Sequence, residues 1–282
     1  MVINTMLADR GNANILAILG VAIAVAVGLS QTTISLTEIW QDDGYRHCFL
    51  VPLISIYLMW DSREELAACE FSSSYLGGMV LTGLVLVWFV AEYALVQVVE
   101  HFAAVAILIA TVWTVLGTNL LRAAAFPLGF LFFAVPFGEE LIPWLMDVTA
   151  TWSTSLLTNM GYTLFREGYY IYLPNGVFEV AEACAGLKYL YAGVMISTVL
   201  AYISFPSNVA RISFVIASSA FYIFLNVVRA TVVIMVASAS DMSLFVGDDH
   251  LWFGWFLFGG ALVLQIAVAD HIRQRFFPST KA

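Results

Sequence analysis

Val180-Ala181-Glu182-Ala183-Cys184-Ala185-Gly186-Leu187-Lys188-Tyr189-Leu190 sets a thiol, two charges and a glycine at the mouth of an apolar run over residues 183–204. A helix of about 20 apolar residues crosses about 30 Å of hydrocarbon. The stretch therefore reads as the entry to a membrane span with a cysteine at its edge. The whole chain agrees with this solvent: 61% of its residues are hydrophobic, 15% aromatic and only 11% charged, with a mean hydropathy of +0.90. Such a composition is that of a polytopic membrane protein. The net charge of −9 reflects the composition of the loops, and no basic patch of the kind nucleic acid needs is present. Cys48, Cys69 and Cys184 are too widely spaced to read as a disulfide framework or a zinc knuckle.

Outward from the opening stretch, further apolar runs fall near residues 13–36, 75–97, 101–121, 211–237 and 250–269. The first follows Arg10 without a small-residue cleavage pattern, so it is expected to be a retained helix rather than a signal peptide. Residues 49–60, bounded by Arg46-His47 and by Asp61-Ser62-Arg63-Glu64-Glu65, and residues 123–137, broken by Pro127 and Pro136, are shorter. Counting both gives eight spans in one integral membrane domain over residues 1–282, with both termini cytoplasmic. That arrangement places Arg10, Arg63, Arg122, Arg211, Arg273, Arg275 and Lys281, seven of the eleven basic residues, on the cytoplasmic side. Arg46, Arg166, Lys188 and Arg229 are left outside or in the outer half of a helix. Arg229 lies inside the apolar segment 214–236, where an ionisable side chain is costly and points to function.

Between the fifth and sixth spans, residues 138–181 form the longest outer stretch. Leu141, Trp144, Leu145, Val148, Trp152, Leu156 and Leu157 recur at three- and four-residue spacing, which predicts an amphipathic helix along the interface. Aromatic and β-branched residues then flank Pro174-Asn175-Gly176, which predicts a small hairpin over residues 169–180 that leads straight into the Cys184 segment.

With a span starting near Glu182 or Ala183, Cys184 falls in the first helical turn, where free N–H groups and the helix dipole favour a thiolate. Lys188 follows four residues later on the same face, as a pKa-lowering neighbour or a carboxylate binder. Gly186 gives room for close backbone approach or for helix packing. A lone cysteine at a helix start is more often a small buried residue, so a nucleophilic reading needs partners. His250 opens the eighth span in Asp248-Asp249-His250-Leu251-Trp252-Phe253-Gly254-Trp255, and Arg229 with Asn226 comes from the seventh. Thiolate attack, a guanidinium on the developing oxyanion and an imidazole moving protons make a coherent set. His47 and His101 lie at comparable depth, whereas His271 is on the cytoplasmic side.

Glu182 to Leu190, Asn226-Val227-Val228-Arg229 and Asp249 to Trp255 together resemble the signature blocks of the exosortase/archaeosortase family, most like its exosortase A branch. Trp40 with Tyr45-Arg46-His47-Cys48-Phe49-Leu50-Val51-Pro52 resembles the family's first outer segment, so the likeness runs over roughly residues 40–260. The resemblance implies an eight-helix transpeptidase of the bacterial inner membrane, linked to exopolysaccharide-producing systems, with its active site facing the periplasm. Its substrates would be exported, membrane-anchored proteins ending in a Pro-Glu-Pro motif, a transmembrane helix and a basic cluster. Cys184 would form a thioester near that motif, Arg229 and His250 would match the family's arginine and histidine, and no cofactor or metal would take part. Where relatives often carry Ser and Arg, this chain has Ala185 and Lys188; a lysine gives up bidentate geometry toward a carboxylate. Arg46, Arg166, Lys188, Asn226 and Glu182 are the candidate substrate-binding residues.

Other classes predict different behaviour. A transporter would place Arg229 and Asn226 along a pathway and would work without Cys184, and a non-catalytic scaffold for exopolysaccharide or protein export would need none of the three. No Gly-x-Ser-x-Gly and no His-Glu-x-x-His is present. Paired haem ligation by His47 and His101 has no further support in the sequence.

Overall fold

The computed structural model describes residues 20, 23–245 and 249–277, side chains of residues 249–251 excepted. It is built almost wholly of helices, and the chain forms two compact units, Met1–Phe137 and Gly138–Ala282. In the first unit the principal helices are α1 (Ser30–Ile39), α2 (Leu50–Asp61), α3 (Tyr75–Tyr93) and α4 (Gln97–Leu116). α3 begins where Ser74 accepts a hydrogen bond from the Gly77 N–H at 3.1 Å, using one of the orphan donors of a helix start. It then runs against α4 so closely at Gly77 that an added Cβ would stand 2.9 Å from the Thr114 backbone nitrogen. Burial favours pairing of polar groups, and Thr32 in this apolar unit donates to Glu100 at 2.6 Å and accepts from the Trp88 indole at 3.0 Å.

In the second unit α5 (Ile142–Asn159), a three-stranded antiparallel sheet, α6 (Leu187–Ser204), α7 (Asn208–Ala239) and α8 (Asp249–Phe276) follow in order. The hairpin is present as β2 (Tyr170–Leu173) and β3 (Gly176–Glu179), closed by Pro174-Asn175. A further strand, β1 (Phe165–Glu167), pairs with β2 and is an addition to the expected hairpin. The sheet alternates: Ile171 and Leu173 are buried while Tyr170 and Tyr172 face out. The buried face meets Leu145, Met146, Ala150 and Leu157 of α5 in one core with Val180, Ala185 and Leu187. The amphipathic helix is thus real, with Trp144 and Trp152 exposed. Its buried face also carries Thr149 and Ser153, turned toward α7.

Among the described residues, five helices are long and apolar enough to cross a membrane: Tyr75–Tyr93, Gln97–Leu116, Glu182–Ser204, Asn208–Ala239 and Trp252–Phe276. They number six if Ala125–Ala134 and Glu139–Asn159 together make one span. The difference from the expected eight has identifiable causes. Part of the 13–36 run lies outside the described residues. Residues 49–60 become α2, whose 12 residues reach only about 18 Å at 1.5 Å per residue. Residues 123–137 break into short helical pieces, and the Pro127 carbonyl accepts the Ser55 hydroxyl at 2.8 Å.

Candidate active site

Val180 ends the sheet, its N–H donating to the Tyr169 carbonyl at 2.9 Å, so the hairpin delivers the chain directly to the cysteine. Glu182–Cys184 then forms a single 3-10 turn, closed by Cys184 N–H to Ala181 O at 2.8 Å and Ala185 N–H to Glu182 O at 3.0 Å. α6 starts only at Leu187, after Gly186 at φ +82° and ψ 9°. This corrects the expectation that Cys184 lies in the first turn of the helix. A residue in the left-handed region breaks the helical path, so Cys184 stands on a separate turn ahead of α6 and Lys188 is not one α-turn beyond it. Cys184 is half-buried, Lys188 is exposed near the start of α6, and Glu182 is exposed on the cysteine's own turn.

The turn is held from behind by α7. The Asn226 Nδ2 donates to the Cys184 carbonyl at 2.9 Å and to Thr149 Oγ1 of α5 at 3.1 Å. The same carboxamide occupies the space a side chain at Gly186 would need: a Cβ there would lie 2.4 Å from Asn226 Cγ. Glycine at 186 is therefore required twice, by its backbone conformation and by this contact.

One turn further along α7, Arg229 is 5% exposed. Its Nη1 lies 3.5 Å from Asn226 Oδ1, and its guanidinium carbon stands 5.4 Å from the centroid of the Tyr189 ring. Its Nε has no hydrogen-bond partner among the described residues. A buried guanidinium is costly unless something compensates its charge, and the aromatic face supplies part of that compensation. α8 closes the site with bare backbone. A Cβ at Gly254 would stand 2.4 Å from the Tyr189 hydroxyl and 3.1 Å from Arg229 Nε. Tyr189, Asn226, Arg229 and Gly254 line one narrow cleft, continued by Tyr222 and Phe258.

His250 opens α8 four residues before Gly254; its side chain lies outside the described residues. Arg166 donates to Asp147 Oδ1 at 2.6 Å and to the Gly168 carbonyl at 2.7 Å, with a further bond to Thr151, so its donors tie β1 to α5. Arg46 belongs to the first unit and pairs at the surface with Asp43 at 2.7 Å.

The other cysteines have different surroundings. Cys48 is fully buried, and burial pushes its thiol up to about 12, so it stays a protonated, inert thiol. Cys69 donates to the Glu65 carbonyl at 3.5 Å. His101 is 2% exposed with Nε2 at 3.2 Å from the Ser35 hydroxyl, a satisfied buried histidine. Thr149, Tyr189 and Gly254 were not singled out from the sequence. Thr149 gave a signal as a polar residue on the buried face of α5; the other two sat unremarked inside the quoted blocks.

A helical membrane protein whose cysteine turn is anchored to an asparagine beside a buried arginine is a candidate for thiol chemistry at the membrane. The chain belongs to the transmembrane exosortase family, whose model matches residues 39–267 and so takes in every block of the site. No curated protein and no solved structure matches it.

Proposed function

We propose that this member of the family is a cysteine transpeptidase that cuts the C-terminal sorting signal of exported, membrane-anchored proteins. The observation that supports this most is the Asn226 carboxamide, which holds the Cys184 carbonyl with one end and faces Arg229 with the other. The Cys184 turn and the α7 arginine are thus linked through one side chain, an arrangement that supports covalent chemistry by a thiol beside a cation.

On this reading the Cys184 thiolate attacks the carbonyl carbon of a peptide bond just outside the bilayer. Arg229 stabilises the tetrahedral oxyanion. His250 accepts the thiol proton and returns it to the departing amine, leaving the N-terminal part of the substrate as a thioester. An acceptor amine or water then attacks that thioester, forming the new amide or acid and restoring the thiol. Lys188 and Glu182, both exposed at the cysteine turn, and Asn226 are proposed to meet the substrate backbone and a carboxylate such as the glutamate of Pro-Glu-Pro. Arg46 and Arg166 take that role only by exchanging Asp43 and Asp147 for substrate. The proposal includes eight spans in a single membrane domain, cytoplasmic termini, a bacterial inner-membrane location and a site facing the periplasm.

The test is co-expression of a Pro-Glu-Pro-tailed reporter with the wild-type chain and with Cys184→Ala, Arg229→Ala and His250→Ala. Loss of tail removal in all three is expected. Normal removal by Cys184→Ala would refute the mechanism and favour a transport or scaffold role.

A further inference from the structure

The seam between α7 and α8 does not end at the arginine cleft. Further from Cys184, toward the start of α7 and the end of α8, it opens into an apolar groove of about 590 Å³. Ala210, Ser213 and Ala217 form one wall, and Leu264, Gln265 and Phe276 stand on the other. From Ala210 to the Tyr222 end of the cleft is 12 residues of helix, or about 18 Å. The Tyr222 hydroxyl donates to Gln265 Oε1 at 2.8 Å and marks the junction of groove and cleft.

Two independent features indicate what the groove takes. Small residues at three- and four-residue spacing let a second helix backbone approach closely in a membrane. Gln265 is 5% exposed, and its Nε2 is buried without a hydrogen-bond partner among the described residues. A buried amide donor left unpaired in an apolar setting is costly. Gln265 lies 11 residues from Phe276, about 16 Å along the helix. At that depth a lipid acyl chain brings no acceptor, whereas a helix brings Ser or Thr hydroxyls and carbonyls.

We propose that the groove binds the single transmembrane helix of the protein being cut, aligned along the α7–α8 seam so that its chain leaves the bilayer beside Arg229 and Cys184. This rests on the transpeptidase reading and adds to it the surface that selects membrane-anchored substrates. The groove also sets register: a helix seated against Ala210, Ser213 and Ala217 fixes which peptide bond arrives at the thiol.

The test uses the full-length chain in membranes with a reporter carrying a Pro-Glu-Pro tail and one transmembrane helix. Photoreactive benzoylphenylalanine is placed at residue 217, in the groove, or at residue 216, on the neighbouring exposed face, in the Cys184→Ala background. Adducts with the reporter from residue 217 and not from 216 are expected. In the active chain, Ala217→Trp should lower kcat/KM for the reporter at least tenfold, with Ile216→Trp within twofold of wild type. Adducts from residue 217 only with lipid or with a second copy of the chain would overturn the proposal, as would Ala217→Trp processing within twofold of wild type. Failure of the groove alone leaves Cys184→Ala inactive, whereas failure of the transpeptidase reading shows as cutting by Cys184→Ala.

Discussion

Replacing Gly186 by alanine perturbs two separable features of the cysteine turn. An alanine held at φ +82° costs about 1–2 kcal/mol of backbone strain. The new methyl also falls 2.4 Å from Asn226 Cγ, 2.7 Å from Oδ1 and 2.8 Å from Nδ2. The carboxamide must move, and with it go the bonds to the Cys184 carbonyl and to Thr149. Two neutral buried hydrogen bonds contribute about 1 kcal/mol each, and more where a partner is left unsatisfied. The single substitution should therefore cost about 3–4 kcal/mol, summed from the strain and hydrogen-bond terms. If the cysteine shifts by about 1 Å, the rate should fall about 100-fold. A double-mutant cycle separates the causes. In an Asn226→Ala background the methyl has room, and Gly186→Ala should cost only the backbone strain, so the coupling is about 2 kcal/mol. Chemical unfolding in detergent and reporter cleavage measure the two readouts. An equal cost of Gly186→Ala in both backgrounds would show that the carboxamide is not what the glycine accommodates.

Gly254→Ala should impair cleavage strongly, because its methyl meets the Tyr189 hydroxyl at 2.4 Å; adding Tyr189→Phe should restore part of the rate, and no restoration would show that the clash acts elsewhere. His47, ahead of α2, has its pKa lowered by burial to about 4, partly offset by the hydrogen bond its ring donates to the Gly44 backbone. Its folded value lies below its unfolded value, so its contribution is fully present above about pH 6.5 and is lost as the pH falls toward 4. After screening, that loss amounts to about 2 kcal/mol. His47→Gln should flatten the fall of the thermal midpoint over this window relative to wild type, and parallel curves would contradict the assignment.

Composition and motif blocks were enough to read the solvent, the family resemblance and the identity of the chemical groups. Long apolar runs such as those that become α3, α4 and α7 are decided by local composition, because a bilayer rewards length and apolarity wherever the helix packs. The hairpin around Pro174-Asn175-Gly176 was legible for a similar reason, since two-residue turns use few residue types. Its third strand was not: Phe165-Arg166-Glu167 is too short to show a period, and only pairing with β2 makes it a strand. The shorter runs 49–60 and 123–137 form helical pieces shorter than their apolar stretches suggested, because apolarity alone does not reveal where a helix stops.

For the site, residue types were readable and relationships were not. Spacing put Cys184 and Lys188 one turn apart, but the left-handed Gly186 placed them on different elements. Asn226 reads from the sequence as a substrate-facing residue, and the structure adds that it is packed against Gly186 and bonded to the Cys184 carbonyl and Thr149. Those contacts join residues 77 and 42 positions apart in the chain, and no local pattern encodes them. Only the packing of α5, α6, α7 and α8 decided that Asn226 anchors the cysteine turn and that Tyr189 and Gly254 enclose Arg229, because hydrogen bonds and close backbone approach depend on three-dimensional distance rather than on sequence spacing.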